Sequence, residues 1–319
     1  MAMPISNSAD TTIIPHAVLS DFTTFKLGGP CKYLIDCTTV TALSSTVKEL
    51  HKTNTPFILI GGGSNLVVAD AGLDSVVVRF VSETPIIEQI GNDLVVSAST
   101  YLDNIALFSV DRGLTGLVFT SGIPGTVGGA IVGNAGAWGK QVGDVLKSAL
   151  IIDIQGNMKE VNAEYFEFSY RSSKLKDTGE IVAQVTFNLM PGEQALLAKE
   201  RADILKDRAA KHPDLTKYPC AGSFFRNIEA TSKAEKRQAV GWLLEQAGGK
   251  DLYVGGAFIF DKHANIIIKG KYCTAENVYD LHLKMITLAK KHFGLTIHRE
   301  VRFLGKFDHA EESNPARFW

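Results

Sequence analysis

The residues best suited to chemistry lie in two glycine-rich runs and in one alternating segment near the C-terminal end. Gly61-Gly62-Gly63-Ser64-Asn65 follows the apolar run Phe57 to Ile60. Successive backbone N–H groups freed of side chains form a concave nest for an anion, and a pyrophosphate suits it. The dinucleotide fingerprint would need a third glycine where Leu66 stands. Read alone, the triple glycine serves equally well as a tight turn. The second run is Ser121-Gly122-Ile123-Pro124-Gly125-Thr126-Val127-Gly128-Gly129-Ala130, followed by Asn134-Ala135-Gly136-Ala137-Trp138-Gly139. Glycine inside regular structure costs roughly 0.5–1 kcal/mol, so close backbone approach to a flat ligand is the economical reading. A strained loop crossing under a helix is the alternative. In the last segment Val301 and Phe303 would face a core, which turns His298, Glu300 and Arg302 to the opposite face. An acid and an arginine two apart are otherwise a surface ion pair.

A chain of 319 residues, 45% hydrophobic, is long enough for two packed domains that must position these runs. Its 33 basic residues nearly cancel 34 acidic ones. No basic run is interleaved with aromatics, so a nucleic-acid footprint is not supported and an anionic ligand must be held locally. The four cysteines (Cys31, Cys37, Cys220, Cys273) form no CxxC pair, which argues against zinc and against a disulfide framework. They read as small buried hydrophobes in a protein of the reducing cytoplasm. No stretch reaches the ~18 apolar residues of a membrane span, and the opening has no signal-peptide pattern. Residues 1–20 read as a loose arm.

Short runs rich in Val, Ile and Phe alternate with helical patterns, giving mixed α/β structure. Tyr33 to Asp36, Phe57 to Ile60, Ser75 to Phe80 and Leu94 to Ala98 are expected as strands. Val40, Leu43, Val47 and Leu50 recur at helical spacing between the first two. Leu102 to Arg112 is expected as a helix stopped by Gly113, with Leu150 to Ile154 and Ile181 to Leu189 as strands. Glu193 to Lys211 is a charged, alanine-rich helix without glycine, and Pro213 and Pro219 follow it, so the domain boundary is placed there. Helices near Arg237 to Ala247 and Ala275 to Phe293 precede a final strand, Thr296 to Leu304.

Seven segments in order, spanning about residues 22 to 305, resemble the UDP-N-acetylenolpyruvoylglucosamine reductase family, flavoenzymes of peptidoglycan precursor synthesis. They are Thr24-Phe25, the run 61–65, the run 124–130, the run 134–139, Phe168-Ser169-Tyr170-Arg171-Ser172-Ser173, Ala221-Gly222-Ser223-Phe224-Phe225-Arg226-Asn227, and Glu300-Val301-Arg302-Phe303-Leu304-Gly305. The resemblance implies an α+β fold with a two-lobed FAD-binding region of the vanillyl-alcohol oxidase (PCMH) type over 21–195, its lobes about 21–85 and 86–195. A smaller α/β substrate domain over 205–305 and a tail over 306–319 complete it. It implies FAD and NADPH and a UDP-sugar substrate, in an enzyme serving cell-wall synthesis and hence cell shape and division; apart from the resemblance, no metal and a monomer are expected. The short span between Ser173 and Ile181 places the chain with the branch lacking a tyrosine-bearing loop. Lys269 stands where the family often has asparagine, and Arg299 replaces a proline common before the glutamate.

The resemblance also distributes roles. Gly61, Gly62, Gly63, Ser64, Asn65, Ser121, Gly122, Pro124, Gly125, Gly128, Gly129, Asn134, Ala135 and Gly136 would hold the flavin. Arg171, Ser223 and Glu300 would be catalytic: a guanidinium for the substrate carboxylate, a proton donor, and a carboxyl bonded to the developing enolate. Tyr170, Lys211, Asn227, His263 and Arg302 would meet the substrate, with Lys211 and Asn227 on its diphosphate. Without the resemblance Ser223 reads as a turn cap, Lys211 as a solvated lysine and His263 as a surface histidine. Two other readings share the fold: an FAD-dependent sugar oxidase, and a non-catalytic nucleotide-sugar binder.

Overall fold

In the computed structural model, which describes residues 5–229 and 236–308, the chain first builds a lobe around a four-stranded sheet. Cys31–Cys37, Leu73–Phe80 and Phe57–Leu59 pair in parallel, with Leu73–Phe80 in the middle. Helix α1 (Val40–Lys52) starts where the Thr39 hydroxyl accepts from Ala42 N at 3.2 Å. Its Leu43, Val47 and Leu50, one helical face, close over Ile35, Val76 and Val78. The N-terminal segment is not a loose arm. Thr11–Pro15 adds an antiparallel edge strand to Cys31–Cys37, and Ala17 and Leu19 are buried in the lobe's second core. The segment is short, and its proline falls at the strand's end on a sheet edge, where no ladder donor is required. Residues 1–4, and 309–319 of the expected tail, lie outside the described residues.

The second lobe is a five-stranded antiparallel sheet in the order 158–162, 146–152, 181–188, 93–97, 87–90. Helices α2 (Leu102–Asp111), α3 (Val127–Gly133), α4 (Leu175–Thr178) and α5 (Gln194–Lys211) accompany it. Helix α3 lies on the sheet through Val127 and Ile131, which share a core with Leu94, Val96, Val185 and Phe187. The charged helix α5 belongs with this lobe: the Arg201 guanidinium forks onto the Asp103 carboxylate of α2 at 2.7 and 2.9 Å.

The C-terminal part packs α6 (Val240–Gln246) and α7 (Ala275–Phe293) against a sheet of Tyr253–Val254, Ala257–Phe260 and His263–Lys269. Helix α7 has the length its periodicity predicts, because Thr274 and Asn277 form a capping box and Gly294 (φ +66°) ends it in the left-handed region. The expected strand Thr296 to Leu304 is only Arg302–Leu304, and it pairs in parallel with Leu66–Val68 of the first lobe. The N–H groups of Glu300 and Val301 both converge on the Phe224 carbonyl, at 2.9 and 3.3 Å. Two donors on one acceptor make a bulge, which interrupts strict alternation. Consequently the chain crosses from the C-terminal part to the first lobe at Glu300. All four cysteines are free and buried. No helix among the described residues is long and apolar enough to cross a membrane.

Candidate active site

A cavity of about 2220 Å³ opens where the three parts meet. Single small ligands occupy roughly 300–1,000 Å³, so this volume admits a dinucleotide together with a second molecule. Both glycine runs line it, and they touch. The Ser64 hydroxyl donates to the Pro124 carbonyl at 3.1 Å, and a Cβ on Gly62 would stand 3.0 Å from the Gly125 Cα. Gly63 (φ +61°) faces the main chain of Phe22, whose carbonyl oxygen would lie 2.1 Å from an added Cβ. Part of the glycine content therefore lets two loops interlock, a use apart from approach to a ligand. The N–H groups of Gly61 to Asn65, and those of Gly125 and Thr126, donate to no hydrogen bond among the described residues. They nevertheless line one cavity. Seven adjacent unused amide donors are the polar surface a pyrophosphate requires, so the residues present fit a dinucleotide cofactor.

Three expected cofactor residues belong to the scaffold rather than the cavity wall. The Ser121 hydroxyl is buried on the Val118 carbonyl at 2.6 Å. Gly128 faces the sheet, where an added Cβ would meet the Ala98 Cβ at 3.2 Å. Asn134 (φ +44°) ends α3 and ties three neighbours, the Gln141 side chain, the Ser169 carbonyl and the Gly143 N–H. Ser169 is two residues before Arg171, so Asn134 supports the site from behind.

The polar end of the cavity is built by Arg171, Ser223 and Glu300, from three separate stretches of chain. Arg171 sits at φ +56° in a turn closed by reciprocal main-chain bonds between Ser169 and Ser172 at 3.0 and 3.1 Å. Its Nε lies 3.3 Å from Glu300 Oε1. The distance makes an ion pair without hydrogen-bond alignment, since Nε itself is buried and unbonded. Burial pushes the Glu300 carboxyl above its usual range, against the opposing pull of Arg171, Lys176 and Arg226. Ser223 follows Gly222 (φ +73°) and precedes Phe224 and Phe225, both fully buried. These rings, with Asn265 bonded to the Phe225 N–H and carbonyl at 2.9 and 2.8 Å, fix the serine at the cavity surface. Glu300 is adjacent, through its N–H on Phe224.

Asn65 joins the two halves: its side-chain amide donates to the Glu300 carbonyl at 3.3 Å, and its own carbonyl accepts from Arg302 N at 3.0 Å. Arg302 also lines the cavity, and burial, then the neighbouring Arg299, lowers its guanidinium to about 10. The remaining expected substrate residues do not line this cavity. Lys211 faces outward and pairs with Asp207 at 2.6 Å. Tyr170 is sandwiched under Arg237, whose guanidinium lies 3.6 Å from its ring, and its hydroxyl accepts from Asn227 N at 3.3 Å. The Asn227 side chain caps α6 by accepting from Val240 N at 3.2 Å. His263 lies beside His212, ring centroids 5.8 Å apart, with only His212 on the cavity wall. Lys269 reaches across to the Lys26 carbonyl, whereas Arg299 lines the cavity and lies over Phe303.

Sequence reasoning missed Lys176 and Arg226 on the cavity wall. Arg226 Nε is buried without a hydrogen-bond partner, and Lys176 Nζ donates to the Arg171 carbonyl at 2.5 Å. It also missed the brace on Gly122, whose N–H donates to Asp103 at 2.7 Å and whose carbonyl accepts from Arg208 at 3.0 Å. A cation on a one-turn helix gives no periodic signal. The Gly122 contacts join residues 19 and 86 positions apart, which no local pattern records.

Residues 31–162 match the profile of an FAD binding domain, and residues 213–304 that of the UDP-N-acetylenolpyruvoylglucosamine reductase C-terminal domain. With the cavity between them, they define a flavoprotein with a PCMH-type N-terminal region and a smaller C-terminal domain. A UDP-N-acetylenolpyruvoylglucosamine reductase of Clostridium perfringens is 31% identical over 300 residues, covering 94% of this chain and 95% of its own. That of Carboxydothermus hydrogenoformans is 33% identical over 302 residues, 95% and 97% of the two chains. The crystal structure of the Thermus caldophilus reductase, 27% identical, superposes with a TM-score of 0.76 over 92% of this chain and 99% of that one. The chain belongs to the UDP-N-acetylenolpyruvoylglucosamine reductase family.

Proposed function

We propose that this protein is an NADPH-dependent flavoenzyme that reduces the enolpyruvyl ether of UDP-N-acetylglucosamine to UDP-N-acetylmuramate. The observation that carries the reading is the convergence of Arg171, Ser223 and Glu300 on a cavity that is also lined by the unused glycine-loop amides. When bound, FAD supplies a hydride to the methylene carbon of the substrate, having received it from NADPH. The glycine-loop amides of residues 61–65 and 125–126 would hold its pyrophosphate.

The remaining tasks fall to side chains. Electron density released by hydride addition moves onto the neighbouring carbon and its carboxylate. Arg171 offers its terminal nitrogens to that carboxylate while Nε faces Glu300. Arg226 and Arg302, on the same wall, add positive potential where the charge accumulates. Burial raises the Glu300 carboxyl toward protonation against the pull of its cations, and once protonated it can donate a hydrogen bond to the developing enolate. Ser223 then delivers its proton to carbon, and the cation-rich wall stabilises the alkoxide it leaves.

Two anaerobic half-reactions test this. NADPH should bleach the flavin of native protein and of S223A alike, whereas the enolpyruvyl nucleotide should reoxidise only the native form at speed. Loss of the second step by on the order of 10²–10⁴-fold in S223A is the size expected for removing a general acid. A native enzyme whose reduced flavin is indifferent to the nucleotide refutes the reading.

A further inference from the structure

Resting on that reading, we propose that Lys176 is a positioning residue for the reaction. Its ammonium holds the Arg171 main chain in the turn that aims the guanidinium at Glu300, and it places a second cation beside that pair. Arg171 has φ +56°. A long side chain adopts this region only where its surroundings impose it. On one side the turn is closed by the reciprocal Ser169 and Ser172 bonds. On the other, Lys176 reaches back from α4 and donates to the Arg171 carbonyl at 2.5 Å. Tilting that peptide would swing Arg171 away from Glu300, whose carboxyl oxygen lies 3.3 Å from its Nε.

The surroundings of Lys176 also give it a titration that a merely structural lysine would lack. Arg226 follows Ser223 in the chain, Glu300 and Arg302 come from the crossing segment, and Arg171 from its own loop; all four charges bear on it. Burial lowers the ammonium most and Arg226 adds to this, bringing it to about 8. At neutral pH it remains a cation, and above pH 8 it discharges and the bond to Arg171 weakens. An arginine at this position would keep its charge to far higher pH.

The test uses full-length, FAD-loaded protein with K176M and K176R. NADPH should reduce the flavin of both at native speed within about twofold, because Lys176 bonds the Arg171 turn and is not one of the glycine-loop amides that would hold the pyrophosphate. Reoxidation by the enolpyruvyl nucleotide should fall in K176M by on the order of 100-fold, the effect of misplacing a binding group by about 1 Å. K176R should recover most of that loss. The native kcat/KM, which reports groups of the free enzyme, should decline above about pH 8, and in K176R that decline should move to higher pH. Native-like reoxidation by K176M, or an unmoved alkaline limb in K176R, overturns the role of Lys176 alone. A native enzyme inert to the nucleotide overturns the reductase reading and this role with it.

Discussion

Two neighbouring glycines of α3 separate the demands of the cofactor from those of the fold. A Cβ added to Gly129 would meet only the Thr126 hydroxyl, at an ordinary 3.7 Å, and would project into the cavity. Alanine there, at a helical position, should stabilise the FAD-free chain by about 0.5–1 kcal/mol. The same methyl would stand in the space proposed for the cofactor. Overpacking a fitted site costs about 1–3 kcal/mol, so the FAD dissociation constant should rise roughly 5- to 150-fold. Gly128 should behave in the opposite way. Its Cβ would lie 3.2 Å from the Ala98 Cβ and 3.3 Å from the Ala98 carbonyl oxygen, to which the Gly128 N–H is bonded at 2.9 Å. Neither partner can retreat without moving the sheet, so G128A should destabilise the FAD-free chain by about 1–2 kcal/mol net of the helix gain. Urea unfolding followed by tryptophan fluorescence gives the stabilities, and quenching of FAD fluorescence gives the affinities. If G129A loses stability as G128A does, or binds FAD at native strength, the assignment of Gly129 to the cofactor wall is wrong.

The buried His282 predicts a pH dependence of stability. Burial among Phe224, Tyr279 and Phe303 lowers it from 6.5 to about 4, with the nearby Arg299 adding to the effect against the Tyr279 carbonyl. Between those values the unfolded chain takes up a proton that the folded chain refuses. Unfolding free energy should therefore be full above pH 6.5 and decline as pH falls toward 4, by about 1.4 kcal/mol per pH unit for each such group. His212, lowered to about 4 mainly by burial, contributes in the same window. H282F should remove about half of the combined slope in urea titrations, and an unchanged slope would exclude His282 as a source. In the first lobe, Asp36 accepts two bonds from Arg79 across the parallel pair, at 2.7 and 2.5 Å, with both side chains 19% exposed. D36A should lower stability by about 1–3 kcal/mol; a shift in the urea midpoint equivalent to under about 0.5 kcal/mol, the range of inert surface changes, would show the pair to be idle.

Elements whose cause is local were readable in the chain. Helices α1 and α7 carry an apolar stripe at 3.6-residue spacing with capping residues next to it, and the strands about 31–37 and 73–80 are apolar runs of strand length. The glycine runs announced a surface of exposed backbone. They did not say which glycine serves what: Gly128 makes room for Ala98, Gly62 makes room for Gly125, and Gly129 leaves space in the cavity. The edge strand Thr11–Pro15 was hidden because a short sheet edge owes its place to the strand beside it.

By itself, then, the sequence determined the alternation of elements, the family through seven ordered motifs, and the residue types needed for an anion nest and an acid–cation pair. Only the tertiary structure decided that Arg171, Ser223 and Glu300 share a wall with Lys176 and Arg226, and that Lys211, Tyr170, Asn227 and His263 do not. The physical reason lies in the Glu300 crossing. A bulge on the Phe224 carbonyl and a parallel ladder between Arg302–Leu304 and Leu66–Val68 bring together residues more than 230 positions apart. Burial at that junction then raises the Glu300 carboxyl and lowers the Lys176 ammonium, and no local pattern of residues encodes either shift.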